Sequence, residues 1–269
     1  MNSLALLIRS SPNWVEVQEQ SFDAAGIVAT PPLQGGKQPK TFFLRLRPSS
    51  RGGVAVYEQA SSRQCPGFCP ERHINPDSSF CVFYGSEERI SDTGRAETWW
   101  SHLAQFLECQ VFAEKRGVWP LRSGLSHGDA ADHQIAMENI ADNHGWGDEI
   151  LEGIFRRRGW LADRLPPASK DKKMVLNSRT PCPRGCRWKH KLLRKRSCQI
   201  EACFVGCGRQ HKPILRADCP NRRSVEDIVL HEHKRRKIEQ DAIKHFFQKG
   251  HRCCGTMQHC PLRDLEEAA

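Results

Sequence analysis

Between positions 97 and 116 the apolar residues recur at three- and four-residue steps: Trp99 and Trp100, Leu103, Phe106 and Leu107, then Val111. That is the period of a helix with one buried stripe, and Gly117 is placed to end it. On this reading the double tryptophan belongs to the core and His102 falls on the polar side. Upstream the period shortens to two. Phe43-Leu44-Arg45-Leu46-Arg47 alternates apolar with basic, and Gly53-Val54-Ala55-Val56-Tyr57-Glu58 is a second β-rich run. The stretch from Pro48 to Gly53 between them has hairpin length, so the pair is expected to be antiparallel. Trp14 to Val17 alternates like a further strand, Leu4 to Ile8 suffices for one or two helical turns, and Pro31-Pro32 with Gly35-Gly36 punctuates a loop. Two more helices are expected, over 129–143 and from Asp148, the second with Ile150, Leu151, Ile154 and Phe155 on one side. Its acidic start and the Arg156-Arg157-Arg158 run at its end suit the helix dipole, so that run reads as a helix terminus. Strands first and helices after is the α+β order.

Charge divides the chain in two. Residues 1–164 hold 17 Lys and Arg against 20 Asp and Glu, while residues 165–269 hold 24 against 11. The overall excess of +10 therefore comes entirely from the last hundred or so residues. Leu165-Pro166-Pro167-Ala168-Ser169 marks the step, and domains of 1–164 and 165–269 are expected. The opening run from Leu4 to Ile8 lacks a basic lead and a cleavage site. No later run approaches the ~20 apolar residues of a membrane span. The expectation is a cytoplasmic protein that does not enter a membrane, with reduced thiols. Clustered cysteines in that setting are more often metal ligands than disulfides.

Of the 13 cysteines, nine lie between Cys182 and Cys260. Laid against itself at a shift of 21, this region repeats: Cys182, Cys186, His190 and Cys198 align with Cys203, Cys207, His211 and Cys219. Each copy reads Cys-x3-Cys-x3-His-x7-Cys, with a glycine before the second cysteine. Three thiolates and one imidazole make a closed tetrahedral zinc set, so two zinc ions are expected. Their connectivity is either sequential or crossed between the copies. Cys253, Cys254, His259 and Cys260 supply donors for a third. Between these groups a helix is expected from Ser224 to about Gln248. His231 and His233 point to different faces of it, and Lys234-Arg235-Arg236-Lys237 reads as a solvated face.

The remaining chemistry lies in His73-Ile-Asn-Pro-Asp-Ser-Ser-Phe-Cys81, where a cysteine follows a short polar loop that opens with His-x-Asn. Gly117-Val118-Trp119-Pro120 and His127-Gly128 follow the tryptophan helix. Together these resemble ubiquitin-conjugating enzymes, in which His-Pro-Asn precedes the thioester-forming cysteine. More narrowly they resemble the bacterial conjugating-enzyme-like families with a cysteine-rich region behind the domain. The resemblance covers roughly residues 40–160. Position 74 is Ile where the family has Pro, the His-to-Cys spacing is shorter, and no substantial first helix is visible.

The resemblance implies a small antiparallel sheet packed on C-terminal helices. It also implies a mechanism: an activating enzyme passes the carbonyl of a ubiquitin-like protein to Cys81, and a target amine then attacks the thioester. Asn75, His73 or His127 would stabilise the oxyanion or move the proton. The family context is bacterial conjugation, in several cases against phage. Two rival readings stand beside it. Cys65, Cys69, His73 and Cys81 together could make a Cys3His zinc site. The chain could also be a non-enzymatic zinc protein whose basic tail grips nucleic acid, an acidic target or another protein partner.

Overall fold

The computed structural model describes residues 3–33, 38–49, 52–83, 89–162, 165–176 and 219–269, with the backbone of two short strands at 191–192 and 213–214. They form two compact units, one of Met1–Ser123 with Phe246–Ala269 and one of Gly124–His245. The compositional step at 164/165 is not where these units divide. Leu165 is buried in the second unit, in one cluster with Trp160, Leu161 and Val225.

The first unit is built on a four-stranded antiparallel meander: β1 (Val15–Gln20), β2 (Ala25–Ala29), β3 (Phe42–Pro48) and β4 (Val54–Glu58). The alternation read in the sequence sets its faces. Phe42, Leu44 and Leu46 are fully buried, and Val54 and Val56 line the same core. Leu46 stands opposite Val56 in the β3–β4 register, and Ile27 opposite Leu44 in the β2–β3 register. Burying each large apolar side chain contributes about 1.5–3 kcal/mol, so this face contributes substantially to the stability of the unit. β2 was not anticipated. Its Ala-Gly-Ile-Val-Ala sequence is buried almost throughout and shows no alternation.

Helix α1 (Ser3–Arg9) contributes Leu4 and Leu7 to the core, and α2 (Thr93–Arg116) contributes the predicted stripe. Trp99 and Trp100 are both buried, and the Trp100 indole donates to the Leu7 carbonyl at 3.1 Å. Asp92 caps α2 by accepting from the Arg95 amide at 2.9 Å. Gly117 ends it at φ 64°, with its amide bonded to the Ala113 carbonyl. That left-handed turn is one glycine adopts without a Cβ penalty. The short helix α7 (Pro261–Glu267) belongs to this unit as well.

The second unit is helical: α3 (Ala130–Asp142), α4 (Gly147–Phe155), α5 (Gly159–Ala162) and most of α6 (Arg222–Gln248). Its core joins Met137, Trp146, Ile150, Trp160, Leu161, Val225, Ile228 and Val229. At Gly153 an added Cβ would stand 2.7 Å from the Leu161 Cβ, so hydrogen is all that position admits. Strands β5 (Lys191–Leu192) and β6 (Pro213–Ile214) pair antiparallel.

The basic run on α6 is solvated only in part: Lys237 is exposed, but Arg235 is buried. Arg235 is 5 % exposed and bonds Glu232 through Nε at 2.6 Å and Nη2 at 3.0 Å, Ser126 through Nη1 at 3.1 Å, and Glu239. Arg236 also bonds Glu232, at 2.6 Å, and the Leu161 carbonyl. A buried carboxylate such as Glu232 needs these partners, because taking an unpaired charge out of water is costly. His231 and His233 do face apart as expected. One meets His133, Nδ1 to Nδ1, at 3.1 Å, and the other meets the Pro166 carbonyl at 2.8 Å. No helix among the described residues is long and apolar enough to cross a membrane.

Candidate active site

The segment from Cys69 to Cys81 folds back on itself. The Cys69 and Ile74 backbones exchange hydrogen bonds of 3.2 and 3.0 Å around the 3-10 turn Pro70–Arg72. His73 leaves that turn at φ 53°. The chain then reverses over Asn75-Pro76-Asp77-Ser78. The Ser78 amide donates to Asn75 O at 2.9 Å, and the Asn75 amide to Ser79 O at 2.8 Å. Asp77 fastens the turn by accepting from the Ser79 amide at 2.9 Å and its hydroxyl at 2.7 Å. Pro at the second position and a short carboxylate at the third are ordinary turn chemistry.

The returning limb is tied on both sides. The Phe80 amide donates to Val56 O of β4, and the Cys81 amide donates to His73 O, each at 2.8 Å. Phe80 is buried with its ring 5.0 Å from Phe106 on α2. Cys81, one residue on, is exposed, and its thiol meets the Phe83 carbonyl at 3.6 Å. Cys109, by contrast, is buried on α2. An accessible thiol is one requirement of a nucleophilic cysteine.

The other candidate residues fall in different places. Asn75 uses one amide hydrogen on the Ser79 hydroxyl at 3.0 Å, inside the turn. The His73 ring lies 5.0 Å from the Trp119 ring. His127 belongs to the second unit, where its Nδ1 stands 3.5 Å from Glu239 Oε1. Burial opposes ionisation of Glu239. The His127 hydrogen bond and the Arg235 charge outweigh it and hold the carboxyl at about 2. His102, read from sequence as a surface residue, is exposed and packs its ring 4.9 Å from Phe83, two residues past Cys81. Helical spacing shows only that His102 lies off the buried stripe, not that the loop returns to it.

Cys65, Cys69, His73 and Cys81 are not assembled as one metal site. The Cys65 thiol faces Gln110 Oε1 at 3.9 Å and Arg72 Nη2 at 3.9 Å, deep in a buried polar network. Arg72 in turn donates to Gln110 Oε1 at 2.8 Å, and Gln110 to Arg72 O at 2.7 Å. Burial, followed by the charge of Glu58, pushes the Cys65 thiol up to about 12, and its neighbours are Gln110 and Arg72, not other donors of a metal set.

Of the repeated zinc-type set, Cys182, Cys186, His190, Cys198, Cys203, Cys207 and His211 lie outside the described residues. Cys219 is buried in the apolar core of the second unit. In the last set Cys260 is buried, Cys253 and Cys254 are half-buried, and His259 is exposed. Cys254 stands 3.0 Å, sulfur to sulfur, from Cys69, a neighbour 185 residues away that no local spacing could reveal. Among the described residues, no three or more His, Cys, Asp or Glu side chains already close into a metal-holding group.

No curated protein and no solved structure matches the chain. Two family models do. Residues 17–121, which hold all but the first two residues of the meander, the Cys81 turn and α2, match the prokaryotic E2 domain. Residues 199–262 match the cysteine-rich domain that stands C-terminal to an E2 domain. With both domains present in that order, the chain belongs to the bacterial ubiquitin-conjugating-enzyme-like proteins that carry a cysteine-rich C-terminal domain.

Proposed function

We propose that the chain carries a ubiquitin-like protein as a thioester on Cys81 and transfers it to an amine. The observation that carries this reading is the exposed Cys81 thiol on a turn tied to the sheet, inside the region matching the prokaryotic E2 domain. In the first step the Cys81 sulfur attacks the carbonyl carbon held by the activating enzyme, whose own thiolate leaves. In the second step a target amine attacks the new thioester. An amide forms, the amine gives up a proton and Cys81 departs as thiolate. Each step passes through an oxyanion, and the Asn75 carboxamide and the His73 ring are the proposed donor and proton carrier. His127 is assigned instead to the ion network of the second unit.

The bacterial and anti-phage setting is part of the proposal and rests on the family resemblance. The placement of two zinc ions on the repeated Cys-x3-Cys-x3-His-x7-Cys set is a further part of the proposal and rests on the repeat itself, a donor set whose chemistry suits structural zinc. When bound, zinc would supply folding energy to that region and no chemistry at Cys81. The nucleic-acid alternative is weakened by α6, where Arg235 and Arg236 are engaged by Glu232.

Native alkylation with iodoacetamide, resolved by peptide, tests the thiol without any partner. Cys81 should label faster than Cys109, and protection of Cys81 until a chelator is added would overturn the enzyme reading. With an activating enzyme, ATP and a ubiquitin-like protein present, the adduct should be reducible. Cys81→Ser should turn it into a thiol-resistant ester, and Cys81→Ala should abolish it. An adduct that survives Cys81→Ala would place the thioester elsewhere.

A further inference from the structure

We propose that Cys69, Cys253, Cys254 and Cys260 form a tetrathiolate site for a zinc ion, which clasps the end of the chain to the turn that presents Cys81. All four lie in the first unit. The set differs from the sequence expectation at one position. Cys69 replaces His259, which is exposed.

The sulfurs stand as two pairs. Cys69 and Cys254 are 3.0 Å apart, and Cys253 is hydrogen-bonded to Cys260. Cys260 is also near enough to Cys69 to act on it electrostatically. The Gly255 amide donates to Cys253 Sγ at 3.4 Å, and the Thr256 hydroxyl stands 3.1 Å from Cys254 Sγ. The thiolate is the form that binds metal, so an ion here would displace the protons of all four thiols. Four thiolates on a divalent ion leave two negative charges. Two arginines stand against them: Arg263 Nη2 is 3.7 Å from Cys253 Sγ, and Arg72 acts on Cys254.

Distance alone does not separate a metal from a disulfide. Zinc–sulfur bonds near 2.3 Å put tetrahedral sulfurs about 3.8 Å apart. A disulfide needs about 2.05 Å. The Cys69–Cys254 separation of 3.0 Å lies between them, so the contact would open by about 0.8 Å for zinc or close by about 1 Å for a disulfide. The second pair decides. A Cys69–Cys254 disulfide leaves Cys253 and buried Cys260 without a role, whereas a soft tetrathiolate set uses all four.

The last segment is already seated in this unit by other contacts. Phe68 meets the Phe246 ring at 5.2 Å and the His251 ring at 4.4 Å, and the Gln258 amide bonds Gly117 O at 2.7 Å. These contacts hold Cys253, Cys254 and Cys260 in the same unit as Cys69, and an ion would draw the two sulfur pairs together. An ion on Cys69 would also hold the Cys69–Ile74 backbone pair, next to His73, whose carbonyl anchors the Cys81 amide.

Peptide-resolved alkylation of the full chain under reductant, with and without a zinc chelator, tests this site. Buried Cys69 and Cys260 resist labelling in any case, so half-buried Cys253 and Cys254 are diagnostic. Both should stay unlabelled until chelator is added, and all four should then react together. Zinc content should fall by one ion per chain in Cys254→Ser and stay unchanged in Cys81→Ser. Prompt labelling of Cys253 and Cys254 without chelator would refute the site. So would a Cys69–Cys254 crosslinked peptide that disappears on reduction. If Cys254→Ser does not accumulate, the labelling of the unmodified chain still decides. The outcome is independent of the thioester reading, because Cys81 can fail as a nucleophile while these four thiols remain protected.

Discussion

Replacing Arg235 by Met should destabilise the second unit by about 2–3 kcal/mol, less than the 3–5 kcal/mol typical of breaking a buried ion pair. The structure sets both bounds. Glu232 is 1 % exposed, so loss of Arg235 leaves its carboxylate in a site with little access to water. Arg236 still reaches Glu232 at 2.6 Å, and Glu239 keeps His127 at 3.5 Å, so neither carboxylate is wholly abandoned. A second variant, Arg235→Met with Glu232→Met, removes both buried charges. It should lie within about 1 kcal/mol of the parent, because the desolvation cost disappears with the pair. Two compact units make a single unfolding transition unsafe to assume. The assay is therefore hydrogen exchange resolved by peptide over α3 and α6. A single variant that costs less than about 1 kcal/mol, or a double variant worse than the single, would show that Arg235 is not compensating a buried carboxylate.

The same network predicts acid sensitivity. Glu239 has its carboxyl depressed to about 2 from 4.5 by His127 and Arg235 against burial, so its contribution is complete above pH 4.5 and lost as pH falls towards 2. Pepsin digestion across that window should open the second unit of the parent progressively, and Glu239→Gln should flatten the dependence. Gly153→Ala sets two effects against each other. Helix propensity favours alanine by about 1 kcal/mol, while a Cβ 2.7 Å from the Leu161 Cβ overpacks at about 1–3 kcal/mol, so thermal unfolding should show a net loss. Asp77→Ala removes the 2.9 and 2.7 Å bonds that fasten the Cys81 turn. Exchange of the Ser79 amide should quicken about tenfold or more while amides of α2 stay protected, and equal acceleration of both would contradict a local role.

Sequence pattern reveals what depends on near neighbours. The β3 and β4 alternation, the α2 stripe and the Gly117 stop all follow from periods of two and 3.6 and from a backbone requirement. β2 stays hidden because Ala25 and Gly26 carry no strand signal and the strand buries both faces. The α6 cluster misleads because Arg235 looks like any surface arginine. Its partner Ser126 is 109 residues upstream, and helical spacing to Glu232 and Glu239 is equally typical of a solvated face. Cys81 is legible as a candidate from its turn residues. The Cys69–Cys254 contact is not, because only the fold brings those positions together.

The tie between Phe80 and Val56 has a consequence for how the sheet meets its surroundings. A meander in the order β1-β2-β3-β4 has two open edges, each able to template another strand. At β1 the edge is blunted by exposed Glu16 and Glu19 and by a register break between Val17 and Glu19. At β4 the edge is occupied by the Cys81 limb itself, through the Phe80 amide and a Tyr57–Ser79 bridge. A partner cannot add a strand beside β4 without first peeling away the segment that presents the thiol. Whatever approaches Cys81 must therefore do so without strand addition at β4, and the same peptide that positions the cysteine keeps the sheet from growing into its neighbours.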